Sequence, residues 1–93
     1  MNSYETIMIL SSKVEDEERE KTINKFKELI EQNGKFLNME NWGKRKLAYP
    51  IKKQNEGYYV LINFRSNADF IDEFNRQYNI DDVVIKHIIV KKD

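Results

Sequence analysis

The sequence predicts an α+β fold, a four-stranded antiparallel sheet with two helices on one face. Two observations carry this. Four stretches read as strands, apolar on both parities or at period two, and two others recur at helical period, in the order β-α-β-β-α-β. Three glycines and one proline in 93 residues leave little chain for linkers, so residues 1–93 are expected to form one domain.

Each element has its own reason. In Tyr4–Leu10 (YETIMIL), Ile7 and Ile9 lie on one side and Thr6, Met8 and Leu10 on the other, bounded by Ser11–Ser12. A short run apolar on both parities suits a central strand. From about Glu15 to Asn33 the period changes. Ile23, Phe26 and Ile30 fall at i, i+3, i+7 with Leu29 beside them, one stripe of an amphipathic helix. Glu15, Asp16, Glu17 and Glu18 crowd its first turn, where anions favour the dipole, and Gly34 is expected as the left-handed residue closing its end. Phe36–Ile51 returns towards period two, with Leu37 and Met39 early, Leu47 and Tyr49 late, and a polar middle from Asn41 to Lys46. Gly43 predicts a bulge there, and Pro50, with no N–H to donate, puts the strand's end at a sheet edge or in a turn. Lys52 to Gly57 is expected to close a hairpin. Gly57–Arg65 (GYYVLINFR) is apolar on both parities and reads as an interior strand. Ser66 and Asp69 have the spacing of a capping box for a second helix, whose stripe is Phe70, Ile71, Phe74 and Tyr78. Asp81–Asp82 turns the chain into a last strand, Val83–Val90, followed by Lys91–Lys92. This order is the split βαβ, or ferredoxin-like, arrangement. Right-handed crossovers put both helices on one face and leave the other open. Such a fold hosts many activities, so function has to come from side chains.

The composition excludes much chemistry. With no cysteine, disulfide scaffolds, thiolate metal sites and thiol catalysis are ruled out. The single histidine, His87, lies in an apolar strand and is expected to be packed rather than catalytic. Three isolated glycines make no phosphate-loop or dinucleotide pattern, and the loop Ser11-Ser12-Lys13 lacks the glycine and arginine of a phosphatase cradle. Glu15–Glu18 and Asp81–Asp82 are helix-start and turn residues before they are metal ligands. No catalytic residue, metal, cofactor or small-molecule substrate is expected. No run approaches the roughly 20 apolar residues of a membrane helix. The start MNSYET lacks the features of a signal peptide, so a cytoplasmic protein is expected.

Sixteen basic and sixteen acidic residues cancel overall, but not locally. Residues 1–40 hold six Lys/Arg against nine Asp/Glu, whereas residues 41–93 hold ten against seven. Within 41–65, Lys44, Arg45, Lys46, Lys52, Lys53 and Arg65 face only Glu56, a balance of plus five. Basic side chains interleaved with Trp42 and Tyr49 suit phosphate contact combined with stacking on bases or ribose. Candidate RNA-binding residues are therefore Trp42, Lys44, Arg45, Lys46, Lys52 and Lys53, with Lys86, Lys91 and Lys92 of the last strand and its end. The last strand carries apolar groups on both parities while helices cover one face, so Val84 and Ile88, together with Tyr49 and Tyr59, are candidate partner contacts. Lysines that guard an edge strand against aggregation account for the same basic residues equally well.

Gly43-Lys44-Arg45-Lys46-Leu47-Ala48-Tyr49-Pro50-Ile51-Lys52 resembles the central motif of a known family, that of the sixth protein of the bacterial small ribosomal subunit. Gly57-Tyr58-Tyr59 and the opening Tyr4-Glu5 are similar to other motifs of that family, and the resemblance runs from Tyr4 to Lys91. Asn2-Ser3 lacks the basic residues some members carry, and no long charged tail follows Asp93. The resemblance implies a structural ribosomal protein and not an enzyme. It also implies binding to the central domain of 16S ribosomal RNA, as a heterodimer with the eighteenth small-subunit protein. A neutral domain with one basic zone should bind RNA weakly alone, because affinity scales with phosphates neutralised. The alternative is a ferredoxin-like interaction or ligand-sensing domain that pairs with itself.

Overall fold

The elements follow in the predicted order: β1 (Asn2–Ser11), α1 (Asp16–Asn33), β2 (Gly34–Ile51), β3 (Gln54–Ser66), α2 (Asp69–Ile80) and β4 (Val84–Lys91). They are seen in a computed structural model that describes residues 1–92. The strands form one antiparallel sheet in the order β2-β3-β1-β4, with Tyr4 opposite both Phe64 and Lys91 and Leu10 opposite both Tyr58 and Val84. The strands predicted to be central and interior, β1 and β3, are thus the two inner ones, and β2, with its proline, lies at an edge.

One sheet face and both helices share the main core. Met8 and Leu10 of β1, Val60, Ile62 and Phe64 of β3, the α1 stripe Ile23, Phe26 and Ile30, and the α2 stripe Phe70, Phe74 and Tyr78 are all buried together. Phe74 lies at their centre. Its ring is 5.4 Å from Phe64, edge-on, and 5.1 Å and 4.7 Å from Phe70 and Tyr78. Such aromatic pairs add about 0.5–1.5 kcal/mol beyond area burial. Thr6 is a fully buried polar residue in this layer. Its hydroxyl donates to the Ile88 carbonyl at 2.9 Å, which leaves the Tyr78 hydroxyl to donate to Thr6 at 3.0 Å. Burial raises the Tyr78 phenol above its ordinary pKa. His87 is packed, stacked 4.5 Å from the Tyr78 ring with Nε2 3.0 Å from Asn75 Oδ1, and burial lowers its pKa. Arg19, one turn before Ile23 on the same helical stripe, is also buried. It donates to the carbonyls of Ser11 and Val14 at 3.1 Å and 2.6 Å, pairs with Asp16, and lies 3.7 Å over the Tyr58 ring.

Four local expectations are corrected. Gly34 does not close α1 in a left-handed conformation. Its φ of −173° is extended and it already begins β2; glycine is needed because a Cβ would sit 2.1 Å from the Arg65 carbonyl oxygen across the strand pair. The capping box does not form. Ser66 is fully buried as the last residue of β3, its hydroxyl donating to the Asn67 carbonyl, and Ala68 occupies the N-cap. The hairpin turn is shorter than expected, only Lys52 and Lys53, since Gln54 already pairs with Ile51. Finally, an irregularity in the β1–β4 pairing at Ile9/Leu10 breaks the alternation of the last strand. Val84 turns into the main core at 4% exposure, and Ile85 packs on the opposite face. Val84 is therefore not a surface partner contact.

Candidate nucleic-acid interface

The face away from the helices carries a second, smaller cluster. Ile9, Leu47 and Ile85 are buried there with Ile51 and Tyr59 against them. Leu47 comes from the far part of β2, so this long edge strand bends over the open face towards β4. The Gly43 bulge predicted from the sequence helps it do so. The β2–β3 register shifts between Asn41 and Gly43, where Gly43 has φ +75° and its N–H donates to Asn41 Oδ1 at 3.0 Å. No atom lies within 4 Å of a Cβ built there, so glycine serves backbone conformation and not close packing.

Two joints hold the arm in place. The Lys86 ammonium donates to the Tyr49 hydroxyl at 3.0 Å and lies 5.4 Å from its ring centre, linking the two opposite edges of the sheet. This contact lowers the Tyr49 pKa and raises that of Lys86, each chiefly through the hydrogen bond. At the base of the turn, Gln54 Oε1 accepts from the Ser11 hydroxyl, the Ser12 N–H and the Ser12 hydroxyl at 3.1, 2.9 and 3.3 Å. The turn itself is two residues in left-handed backbone, Lys52 at φ 49° and Lys53 at φ 64°. Asparagine and glycine are the usual occupants of such a turn.

The candidate residues separate into two groups. Trp42, Lys44, Arg45, Lys46, Lys52 and Lys53 lie on the arm, and Lys86 joins them through Tyr49. Trp42 stacks on Tyr59 with ring centres 6.4 Å apart, Arg45 lies 5.2 Å from the indole, and the indole remains 37% exposed. Lys44 approaches Glu56 at 3.9 Å, a loose exposed pair. Lys91 and Lys92 sit elsewhere. The six residues from Tyr4 to Leu10 put them about 20 Å along the sheet from the row containing Lys44. Lys92 is near Glu5 at 3.6 Å, and its N–H donates to the Ser3 carbonyl at 2.8 Å. Arg65, counted in the basic window, also lies at that distant end, opposite Ser3 and Lys35. Of the partner-contact candidates, Tyr49 is 59% and Ile88 47% exposed, whereas Tyr59 is half-buried under Trp42. Sequence reasoning missed Gln54 and the Tyr49–Lys86 joint. Neither leaves a periodic signal, because their partners lie more than thirty residues away.

Among the described residues, no group of three or more His, Asp or Glu could hold a metal ion, and no helix is long and apolar enough to cross a membrane.

Comparison with known proteins decides the family. The profile described as Ribosomal protein S6 matches residues 3–91. The chain belongs to the ribosomal protein S6 family. It is 50% identical over 94 residues to small ribosomal subunit protein bS6 of Caldanaerobacter subterraneus subsp. tengcongensis, covering 100% of this chain and 99% of that one. The bS6 protein of Clostridium perfringens is 48% identical over the same coverage. The crystal structure of 30S ribosomal protein S6 from Thermotoga maritima superposes with a TM-score of 0.94 at 34% identity, covering 98% of this chain and 87% of that one. The family is a structural, non-enzymatic constituent of the small ribosomal subunit, cytoplasmic in bacteria.

Proposed function

We propose that the chain binds the central domain of 16S ribosomal RNA through the β2–β3 arm, as a heterodimer with the eighteenth small-subunit protein. The observation that carries this reading is the arm itself. It presents Lys44, Arg45, Lys46, Lys52 and Lys53 beside a partly exposed Trp42, with Glu56 the one carboxylate within residues 41–65. Arg45 has the planar fork that fits a phosphate, the lysines add point charges, and the indole offers a surface for a base or ribose. Lys91 and Lys92, about 20 Å away along the sheet, would form a second and weaker contact with the same polyanion.

The partner's surface lies on the open face beside β4. Ile88 and Val90 are exposed there. On the same face Asn63 donates to Asn38, while Asn63 Oδ1 is buried without a partner. An orphaned buried acceptor costs about 1–3 kcal/mol, and a donor from a docked protein would recover it. A basic partner would also add phosphate contacts that a chain of zero net charge lacks.

The test is RNA binding by the chain alone and with the eighteenth protein, at one salt concentration near physiological strength, alongside fractionation of cell lysate. Co-sedimentation with small subunits and tight binding only by the pair are expected. Equal affinity for the chain alone would overturn the heterodimer. A free homodimer in the lysate would favour the self-pairing alternative.

A further inference from the structure

Between the hairpin turn and the start of β4 lies a cleft of ≈ 290 Å³. Lys52 lines it from the turn, Lys86 and His87 from β4, and Asn79 from the end of α2, and none of its lining residues is a carboxylate. We propose that this cleft is a phosphate-binding site, taking a single phosphate group of an RNA backbone or of free inorganic phosphate.

Charge is the first argument. Among the described residues Lys52 pairs with no carboxylate. Lys86 spends one of its three donors on Tyr49 and keeps two. Two lysines and an asparagine among the lining residues, with no carboxylate, suit a compact anion better than a neutral ligand. A water molecule takes about 30 Å³ in the liquid, so the cleft can also keep part of a phosphate's hydration.

Backbone conformation is the second. Lys52 holds φ 49°, where a non-glycine residue costs free energy. Asparagine or glycine would fit that turn more easily, so a lysine there gains nothing locally and has its charge to offer. Preorganisation is the third. The Gln54 joint fixes the turn, and the Tyr49 contact fixes the Lys86 side chain. The Lys86 side chain and the Lys52 backbone therefore need not be ordered anew when an anion arrives.

The site bears on the RNA reading only through the source of the phosphate, and the experiment separates the two. The whole chain is titrated with sodium phosphate and, at matched ionic strength, with sodium chloride, while backbone amide resonances are followed. Saturable shifts confined to Lys52, Asn79, Lys86 and His87, with phosphate only, are expected. They should vanish in the double variant Lys52→Gln, Lys86→Gln and survive in Tyr49→Phe, which removes the joint but neither ammonium. Shifts that track ionic strength alone, or that are as large at Lys44–Lys46, would overturn the site. In the second arm, RNA binding is measured against salt with the protein partner present. If RNA supplies the phosphate, the double variant should lose about 0.7–0.9 in log–log slope, the share of one phosphate. An unchanged slope with intact phosphate shifts assigns the cleft to free phosphate. Absence of RNA binding by the unaltered chain together with its partner would end the RNA reading and leave the first arm standing.

Discussion

On the helix side of the sheet, Phe26, Phe64, Phe74 and Tyr78 are buried almost completely, whereas on the other side Tyr49 and Ile88 leave about half their surface in water. The same strands supply both faces, so the contrast comes from side-chain parity and from what covers each face. The helix face is closed by two amphipathic stripes and interlocking rings. The open face has one small cluster, Ile9, Leu47 and Ile85, held by two polar joints of the arm. Stability and surface chemistry are thereby separated within one thin sheet, and substitutions on the two faces should report on different properties.

The largest expected effect is on the helix face. Phe74→Ala should lower the unfolding free energy by about 3–5 kcal/mol, close to the whole stability of a small domain. A denaturant midpoint that barely moves would break the contrast at its strong end.

On the arm, Lys53→Gly should act in the opposite direction. It relieves a left-handed lysine and should stabilise by about 1 kcal/mol, a rise of several degrees in Tm for a chain of this size. A lower Tm would show that the turn is not strained.

Replacing Lys44, Arg45 and Lys46 together by alanine should move stability by less than about 0.5 kcal/mol. The same triple variant should flatten the salt dependence of RNA binding by about 2–3 in log–log slope, measured with the partner present. An unchanged slope would remove these three residues from the interface.

The smallest effect belongs to His87. Its folded pKa lies below the ordinary 6.5 because of burial, so the unfolded chain binds the proton more readily. The stability held by neutral His87 is complete above about 6.5 and is lost as pH falls through the folded value. His87→Gln should flatten the acid limb of a Tm–pH curve in that window; an unaltered limb would show that the ring titrates as it does in water.

Most of the fold was legible because burial imposes a period. Ile23, Phe26 and Ile30, and Phe70, Phe74 and Tyr78, mark their helices through spacing alone. Gly43 announced its bulge because few other residues accept φ +75°. Other features depend on distant chain. Gly34 reads as a helix stop until the Arg65 carbonyl across the sheet shows why no Cβ fits. Ser66 has a cap's spacing, yet the pairing of β3 with β1 carries it into the core. Val84 fell on the wrong face because one irregularity in β4 inverts every parity before it. The basic arm was legible as composition, but its curvature was not, since Tyr49 and Lys86 are 37 residues apart. For the same reason Lys91 and Lys92 looked like part of one zone until the register separated them.

The strand order β2-β3-β1-β4 also sets the timing of folding. The one pairing between neighbours in sequence is β2–β3, closed by two residues, and an isolated hairpin of that kind forms in about 1–10 μs. Alone it has almost nothing to bury, and two-stranded ribbons are at best marginally stable in water. The core needs β1, whose Tyr4 meets Phe64 and Lys91 from the other end of the chain. Those closures must be made before any contact rewards them, which places folding with the slower mixed α/β domains and not with helical bundles. During synthesis β1 and α1 emerge first and wait for β3, and β1 keeps one bare edge until the last eight-residue strand has been made.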